Sequence, residues 1–235
     1  MPTAGSRYEG ARRRRGAAGD GSDRLPALAS SSPCRRGAGR SPVGRVLFIR
    51  AAAGSGTLST VDTLQARELA LRFLHGDPDR WLHVQAVAAR ADELRPAVPA
   101  AEGSLLVVAA WLHDIGYSPA LHQTGFHPLD GARFLARAGH RREAALVAHH
   151  SGARFVAEVR GLAGELAGFP FAEDPLTDAL TYADQTVGPR GERLSVAGRL
   201  AEAVRRHGPD APASLAAPRR EPYIYAAAER TEARL

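Results

Sequence analysis

Helical periodicity is the feature that most constrains this chain, because from Thr60 onward apolar residues recur at the spacing of an α-helix. Thr60 is a suitable cap for a first helix to about His75. Asp77-Pro78 supplies the cap and first residue of a second helix, to Leu94. Alternating strands with hairpin turns are not found. Further helices are predicted over residues 104–113, 128–138, 141–150, 153–167, 175–185 and 194–207. The sequence therefore predicts an all-α fold.

Three regions are expected along the chain. Residues 1–56 are rich in Arg, Gly and Ser and lack a helical or strand period, which is typical of disorder. Residues 57–207 are expected to form one helical domain, and residues 208–235 a C-terminal tail with room for a short helix. The apolar run at 105–112 is too short to span a bilayer, so no membrane partner is expected.

The Arg-rich first region has several interpretations. A secretory signal is not expected, because no sufficiently long apolar stretch follows the basic start before Val46. An organellar transit peptide and a nucleic-acid-binding arm are two alternatives. The simplest interpretation is a start codon assigned too far upstream, with Val61 as the true start.

Charge is distributed unevenly over the 235 residues. Residues 1–50 hold 11 Arg against three acidic residues, a net charge of +8, and the rest hold 20 Arg against 22 acidic residues, so the whole carries +6. A duplex-binding domain needs a basic surface, so nucleic acid is not the expected partner of the folded part. The single Cys34 excludes an intramolecular disulfide and favours a reducing, cytoplasmic location.

Histidine and aspartate residues placed near helix ends carry the candidate chemistry. Imidazole nitrogens and carboxylate oxygens suit first-row divalent ions, and one carboxylate can bridge two of them. Most of these residues, taken singly, have a structural interpretation, and the pair His149-His150 could cap the last carbonyls of a helix. Taken together, they are numerous enough to hold two metal ions. The positions are His83, His113, Asp114, His127, His149, His150 and Asp184.

The order and spacing of these residues resemble the HD-domain metal-dependent phosphohydrolases, in their HDIG-type form. The matching stretches are RWLHVQAVAARA (80–91), AAWLHDIGYSPAL (109–121), FHPLDGARFLARAG (126–139), ALVAHHSGA (145–153) and LTYADQT (180–186). The HPxxGAxxL pattern from His127 resembles the dinuclear branch of the family, which includes bacterial diadenosine-tetraphosphate hydrolases. The extended GYP signature of cyclic-di-GMP phosphodiesterases is missing, which disfavours a cyclic dinucleotide.

The resemblance implies a metal site at converging helix ends that holds two divalent ions, with Fe or Mn expected. Asp114 would bridge the ions. Adjacent helical residues point about 100° apart, so His149 and His150 can reach one centre only if the helix ends there. The implied metal ligands are His83, His113, Asp114, His127, His149 and Asp184.

Catalytic roles are expected for Asp114 and for His150, which would contact a substrate phosphate, occupy a third metal position or protonate the leaving group; His122 is a second proton donor candidate. Two metal ions would activate a water as hydroxide, and a protein nucleophile is not needed. Arg154 is the preferred phosphate contact. Arg133 and Arg137, one turn apart, are further candidates.

The expected function is hydrolysis of a phosphoester or phosphoanhydride in a small phosphorylated substrate such as a nucleotide. Two alternatives stay open. Some HD-type proteins use the same ligands in a di-iron oxygenase, and metal identity and oxygen dependence would separate this class. The other is a non-catalytic helical module that binds a ligand or partner, for which loss of a ligand residue would be the expected sign.

Overall fold

Residues 61–235 are described by the structure, a computed structural model, and this part of the chain is helical apart from its turns and one isolated bridge between Val187 and Arg193. Short 3-10 turns connect several of the helices. The α-helices are α1 (Thr63–Leu74), α2 (Pro78–Glu93), α3 (Gly103–Leu112), α4 (His127–Arg137), α5 (Arg141–His149), α6 (Ala153–Val159), α7 (Ala163–Leu166), α8 (Pro175–Gln185), α9 (Val196–His207), α10 (Pro212–Leu215) and α11 (Ala217–Glu232). The all-α prediction is confirmed.

Side-chain caps start four of these helices. The carboxylate of Asp62 accepts a hydrogen bond from the backbone N–H of Gln65, and the side-chain oxygen of Gln65 accepts one from the backbone N–H of Asp62. This reciprocal arrangement starts α1. Asp77, Asp174 and Ser195 cap α2, α8 and α9 without this reciprocal bond, each by accepting a hydrogen bond from the backbone N–H three residues later. The predicted cap at Asp77 is therefore present.

The central element is α3, which is apolar on nearly all sides and almost completely buried. A helix of that composition is stable only inside the molecule. One cluster of buried side chains joins α3 to α2, α8, α9 and α11, and a second joins it to α1, α4, α5 and α6. Because α3 lies between the two clusters, the polar pair His113-Asp114 at its end is placed in the interior.

The structure differs from the predicted helices in two places. The helix expected over 153–167 is interrupted after α6, where Gly161 adopts a φ of +69° and the chain turns before α7. The region 208–235 holds α10 and the 16-residue α11, which packs on α8. Thr60, Cys34 and the segment 1–56 lie outside the described residues.

Among the helices of residues 61–235, none has the combined length and apolar composition needed to cross a bilayer.

Candidate metal centre

Six side chains from five segments converge at the buried end of α3. His83 comes from the middle of α2, His113 and Asp114 follow α3, and His127 is the first residue of α4. His150 follows α5, and Asp184 lies in the last turn of α8. All except His127 are at least nine-tenths buried.

The first group consists of His83, His113 and Asp184, and its candidate ligand atoms lie within 4.8 Å of one another. The Nε2 atom of His83 is 3.0 Å from Oδ1 of Asp184 and 3.4 Å from Nε2 of His113. Two imidazoles and a carboxylate are a common ligand set for first-row metals.

The second group consists of Asp114, His127 and His150, again with ligand atoms within 4.8 Å. Nε2 of His127 is 3.3 Å from Oδ1 of Asp114 and 3.3 Å from Nε2 of His150. The ring of Tyr117 stacks on His127 with 3.9 Å between centroids, which holds the imidazole in place.

Asp114 faces both groups, with one oxygen toward each. Oδ2 lies 3.3 Å from Nε2 of His113 and 3.7 Å from Nε2 of His83. Oδ1 lies 3.3 Å from His127 and 3.8 Å from His150, also measured to Nε2. This is the arrangement that a bridging carboxylate requires.

Backbone carbonyls orient three of the four imidazoles. Nδ1 of His83 donates to the carbonyl of Gly188 at 3.0 Å, and Nδ1 of His113 donates to that of Ala110 at 2.7 Å. Nδ1 of His150 donates to the carbonyl of Val147, three residues earlier, also at 2.7 Å. A hydrogen bond of this kind selects the Nδ1–H tautomer, so the Nε2 lone pair is left to face the cluster.

Acceptor atoms of different side chains therefore face one another inside the cluster. In the neutral Nδ1–H tautomers, the Nε2 lone pairs of His83 and His113 face each other, and the Nε2 lone pair of His150 faces Nε2 of His127 and Oδ1 of Asp114. Buried acceptors without a donor are costly, whereas a cation between them satisfies all of them. The donor set and its arrangement thus fit divalent metal ions.

The two carboxylates carry charge in this buried position. Burial alone would raise the pKa of Asp114, but His113 and Arg80 hold that pKa well below its usual range. Burial likewise opposes ionisation of Asp184, and its contacts with His83 and His113 more than offset this, so its pKa is well below the ordinary value. Ionised carboxylates are the form that binds metal.

Burial lowers the pKa of His127 well below its ordinary value. Burial and the neighbouring His113 lower the pKa of His150. Both imidazoles are therefore neutral near pH 7, as ligation requires. At His113 burial lowers the pKa, but Asp114, Asp184 and the carbonyl of Ala110 together raise it above its ordinary value, so metal binding there would release a proton.

The adjacent histidines differ from the sequence-based expectation. α5 ends at His149, whose φ of −113° and ψ of 1° depart from helical values, and the ring of the next residue, His150, lies in the cluster. His149 points away from the cluster, and its Nε2 contacts the carbonyl of Phe169 at 2.9 Å. The structure therefore brings His150, and not His149, together with the other five predicted ligands.

The turn after His150 is strained and tied to the cluster. Ser151 has a φ of 53°, uncommon outside glycine, and Gly152 follows with a φ of 70°. The Ser151 hydroxyl donates to Oδ2 of Asp184, and the amide of Gln185 donates to the same oxygen at 2.9 Å. These two donors leave Oδ1 of Asp184 directed at His83.

Two glycines allow the segment after Asp114 to touch α4. A Cβ at Gly116 would fall on the carbonyl oxygen of His127 and 2.7 Å from the amide nitrogen of Gly131. A Cβ at Gly131 would lie 3.2 Å from the amide nitrogen of Gly116. The glycine of the HDIG sequence thus permits the close backbone approach that carries His127 to Asp114.

Arg80 is a site residue that sequence reasoning missed. Its guanidinium donates to Oδ2 of Asp114 at 2.5 Å and lies 3.9 Å from the ring centroid of Tyr117. The available signal was its position three residues before His83, which puts both side chains on one face of α2.

The arginines predicted to contact phosphate lie elsewhere. Arg154 is packed against the rings of Phe155, Phe171 and Tyr223, with its guanidinium carbon 4.1 to 4.7 Å from their centroids. Arg133 pairs with Glu165. These contacts direct the two arginines away from the cluster.

Arg137 is exposed near the end of α4 and is not among the residues that line the cavity beside the cluster. His122, the second proton donor candidate, is also exposed, and its Nε2 lies 3.2 Å from the carbonyl oxygen of Tyr117. Neither side chain is placed with the six cluster residues.

A cavity of about 140 Å³ opens beside the cluster. Its lining includes Asp114, His127, His150 and Asp184 of the cluster. The basic residues that line it are Arg80, Arg199, Arg206, His207 and Arg220. The cluster is therefore accessible from a basic pocket.

An all-helical domain with paired His/Asp groups defines a metal-binding class of protein, and the family comparison agrees with it. Residues 80–227 match the HD domain, which is more than half of the chain. The chain belongs to the HD-domain family. No curated protein and no solved structure matches it. The HDIG-type subgroup stays a prediction from residues 113–116.

Proposed function

We propose that this protein is a metal-dependent phosphohydrolase that cleaves a phosphoester or phosphoanhydride of a small phosphorylated molecule such as a nucleotide. The observation that supports this best is the position of Asp114, which offers one carboxylate oxygen to each of two neighbouring ligand groups. Two divalent ions bound there, with Fe or Mn expected, supply an acidified water and neutralise charge on phosphate oxygens.

The protein residues hold and orient this site. Carbonyl bonds to Nδ1 keep three imidazoles aimed inward, and Ser151 with Gln185 aims Asp184. Because these side chains are buried and packed, little rearrangement is required before substrate binds. In this proposal His150 is a metal ligand, so proton donation to the leaving group falls to solvent.

Arg80 is assigned to the phosphate that is attacked. Its guanidinium lies against Asp114, lines the cavity and is held by the ring of Tyr117. An arginine placed next to the metal groups can donate two hydrogen bonds to phosphate oxygens. The side chain therefore both neutralises and orients the group next to the cluster.

Two other functions use the same residues. A di-iron oxygenase would need the same ligands, and the basic cavity favours a phosphorylated substrate over it. A non-catalytic module has no need for an intact ligand set beside an open cavity. The cytoplasmic location expected from Cys34 remains a prediction.

The test is elemental analysis of purified protein together with assays of phosphate release. We expect about two first-row metal ions per chain and metal-dependent hydrolysis of nucleotides. His83→Ala removes one ligand of the first group, and Asp114→Ala removes the ligand shared by both groups. Both variants should therefore lose metal and activity together. His75→Ala, an exposed histidine at the end of α1, is the matched control and should change neither.

Full metal content and full activity in Asp114→Ala would disprove the site assignment. Each assay is run with and without oxygen. A product that requires oxygen and releases no phosphate would instead favour the di-iron oxygenase, and retention of no metal by the wild type would favour the binding module.

A further inference from the structure

The cavity lining carries positive charge that the metal cluster does not use. Arg199 and Arg206 of α9 and Arg220 of α11 belong to this lining. Within the cavity lining, the acidic residues are Asp114 and Asp184, which both belong to the metal groups. The three arginines, called the arginine wall below, therefore face the cavity without an acidic partner in its lining.

The spacing of α9 arranges this wall. Arg199, Ala203 and Arg206 lie four and three residues apart, so they share one helix face, and all three line the cavity. Two turns of helix separate the two arginines by about 10 Å along the axis. The small side chain of Ala203 between them leaves space for a ligand.

Arg199 is held in place yet incompletely paired. It is 8% exposed, and its Nε has no hydrogen-bond partner. Nη1 of Arg199 donates to Oε2 of Glu202 at 2.7 Å. Nε of Arg206 lies 3.1 Å from Oε1 of the same carboxylate. One carboxylate thus serves two guanidinium groups, and an excess of positive charge remains.

Arg220 connects the wall to the cluster side of the cavity. Its Nε donates to the carbonyl of Ser151 at 2.9 Å, in the strained turn after His150. Ser151 in turn donates to Asp184. The guanidinium of Arg220 is therefore positioned by the same turn that orients a metal ligand.

We propose that Arg199, Arg206 and Arg220 form an anion subsite for a phosphate group other than the one that is attacked. The substrate then carries at least two phosphate groups, and a simple phosphomonoester fills only the cluster side. This proposal rests on the proposed function for the attacked group. Arginine suits the role because its planar guanidinium binds phosphate oxygens in pairs and stays charged when buried.

The test is calorimetric titration of the full chain with inorganic tripolyphosphate and with orthophosphate. Titrations are made on protein as purified and again after the metal is removed and the chelator dialysed away. We expect tripolyphosphate to bind at least tenfold more tightly than orthophosphate in both forms, because only the longer anion contacts the arginine wall and Arg80 on the cluster side at the same time. The metal-free measurement keeps the subsite separate from the metal site.

Neighbouring arginines provide controls with the same change of charge. Arg206→Gln should weaken tripolyphosphate binding about tenfold, as for loss of one charged hydrogen bond. Arg205→Gln, on the exposed side of α9, should leave it unchanged. Arg220→Gln and its control Arg219→Gln, which loses a pair with Glu158 and a contact with the ring of Phe155 outside the cavity lining, form a second comparison.

Arg206 is the cleaner position, because Arg220 also supports the Ser151 turn, and urea unfolding of each variant confirms that the fold is intact. Equal weakening by Arg205→Gln and Arg206→Gln, or equal binding of the two anions by the wild type, would overturn the proposal. Selective tripolyphosphate binding without any hydrolysis would leave the subsite standing and reject the proposed function.

Discussion

At the residue scale, the contact between Gly116 and the start of α4 determines where His127 lies. The two backbones meet with no room for a side chain, and the partner atoms belong to the main chain of His127 and Gly131. Main-chain atoms inside a packed helix do not move away cheaply. The position of His127, a candidate metal ligand, therefore depends on the absence of a side chain at Gly116.

We expect Gly116→Ala to displace the first turn of α4 and to lower the metal content of the second ligand group. Overpacking of this kind costs about 1–3 kcal/mol of stability. Elemental analysis and urea unfolding measure the two effects. Gly76→Ala is the control, because a Cβ at Gly76 meets nothing within 4 Å. Unchanged metal content in Gly116→Ala would show that the close approach is not required.

The adjacent histidines allow a paired test of which one binds metal. His150→Gln should lose metal, because its Nε2 lies among the ligand atoms of the second group. His149→Gln should keep the metal, because glutamine can still donate to the carbonyl of Phe169. Metal content per chain is measured for both variants. A greater loss in His149→Gln would restore the assignment made from the sequence.

At the element scale, α11 shows what the sequence pattern could not predict. Pro218 lies in its first turn, where proline is tolerated, but Pro222 lies inside the helix and removes a hydrogen bond. Helix propensity is therefore weak there, and the stabilising contacts come from distant residues of α8 and α9. The break at Gly161 was missed for a related reason, because an isolated glycine is tolerated in many helices.

A buried ion cluster fastens α11 to α8. The carboxylate of Asp178 is 1% exposed and accepts two hydrogen bonds from Arg230, at 2.6 and 2.9 Å. Arg234 adds a third at 3.0 Å. The two arginine side chains are about one-third exposed, so solvent screens part of the attraction.

We expect Asp178→Asn to reduce the free energy of unfolding by about 1–2 kcal/mol, since one buried carboxylate is neutralised and its charged hydrogen bonds weaken. Asp92→Asn, which affects an exposed pair with Arg95, should cost less than about 0.5 kcal/mol. Urea unfolding of both variants measures the difference. An equal effect of the two substitutions would mean that the α8–α11 attachment depends on apolar packing alone.

At the scale of the whole molecule, the sequence was sufficient for the fold class and for placing five of the six clustered side chains in one predicted metal site. Helical period and caps are local signals, and the order of His and Asp residues is readable without coordinates. Positions that depend on distant contacts were not predictable in this way. Arg154 was chosen because it follows His150 closely in sequence, yet three aromatic rings draw it away from the cluster.

The arginine wall was not predicted from the sequence for the same reason, because its position depends on contacts between distant residues. Arg199, Arg206 and Arg220 are 15 or more residues beyond the last clustered ligand, and they reach the cavity because α9 and α11 pack against α8. The chain from residue 51 onward is nearly neutral, with 20 Arg against 22 acidic residues. The excess of arginine over acidic residues in the cavity lining is therefore a local feature, and net charge could not reveal it.

The last 28 residues are an integral part of the domain, and their removal tests this directly. A chain that ends at His207 loses the buried side chains of Tyr223, Ile224, Ala227 and Ala228. Burial of each large side chain contributes about 1.5–3 kcal/mol, and the uncovered faces of α8 and α9 add to the loss. The sum is comparable with the about 5–15 kcal/mol that stabilises a typical domain.

We therefore expect the chain that ends at His207 to show no cooperative unfolding transition in urea, monitored by circular dichroism. A chain without residues 1–56 is the control, because the two clusters of buried side chains described for residues 61–235 are retained in it. It should unfold at the wild-type urea concentration, and any salt-sensitive binding of nucleic acid by the full chain should disappear with its 11 arginines. A cooperative transition in the chain that ends at His207 would show that α11 is an addition to a domain already complete.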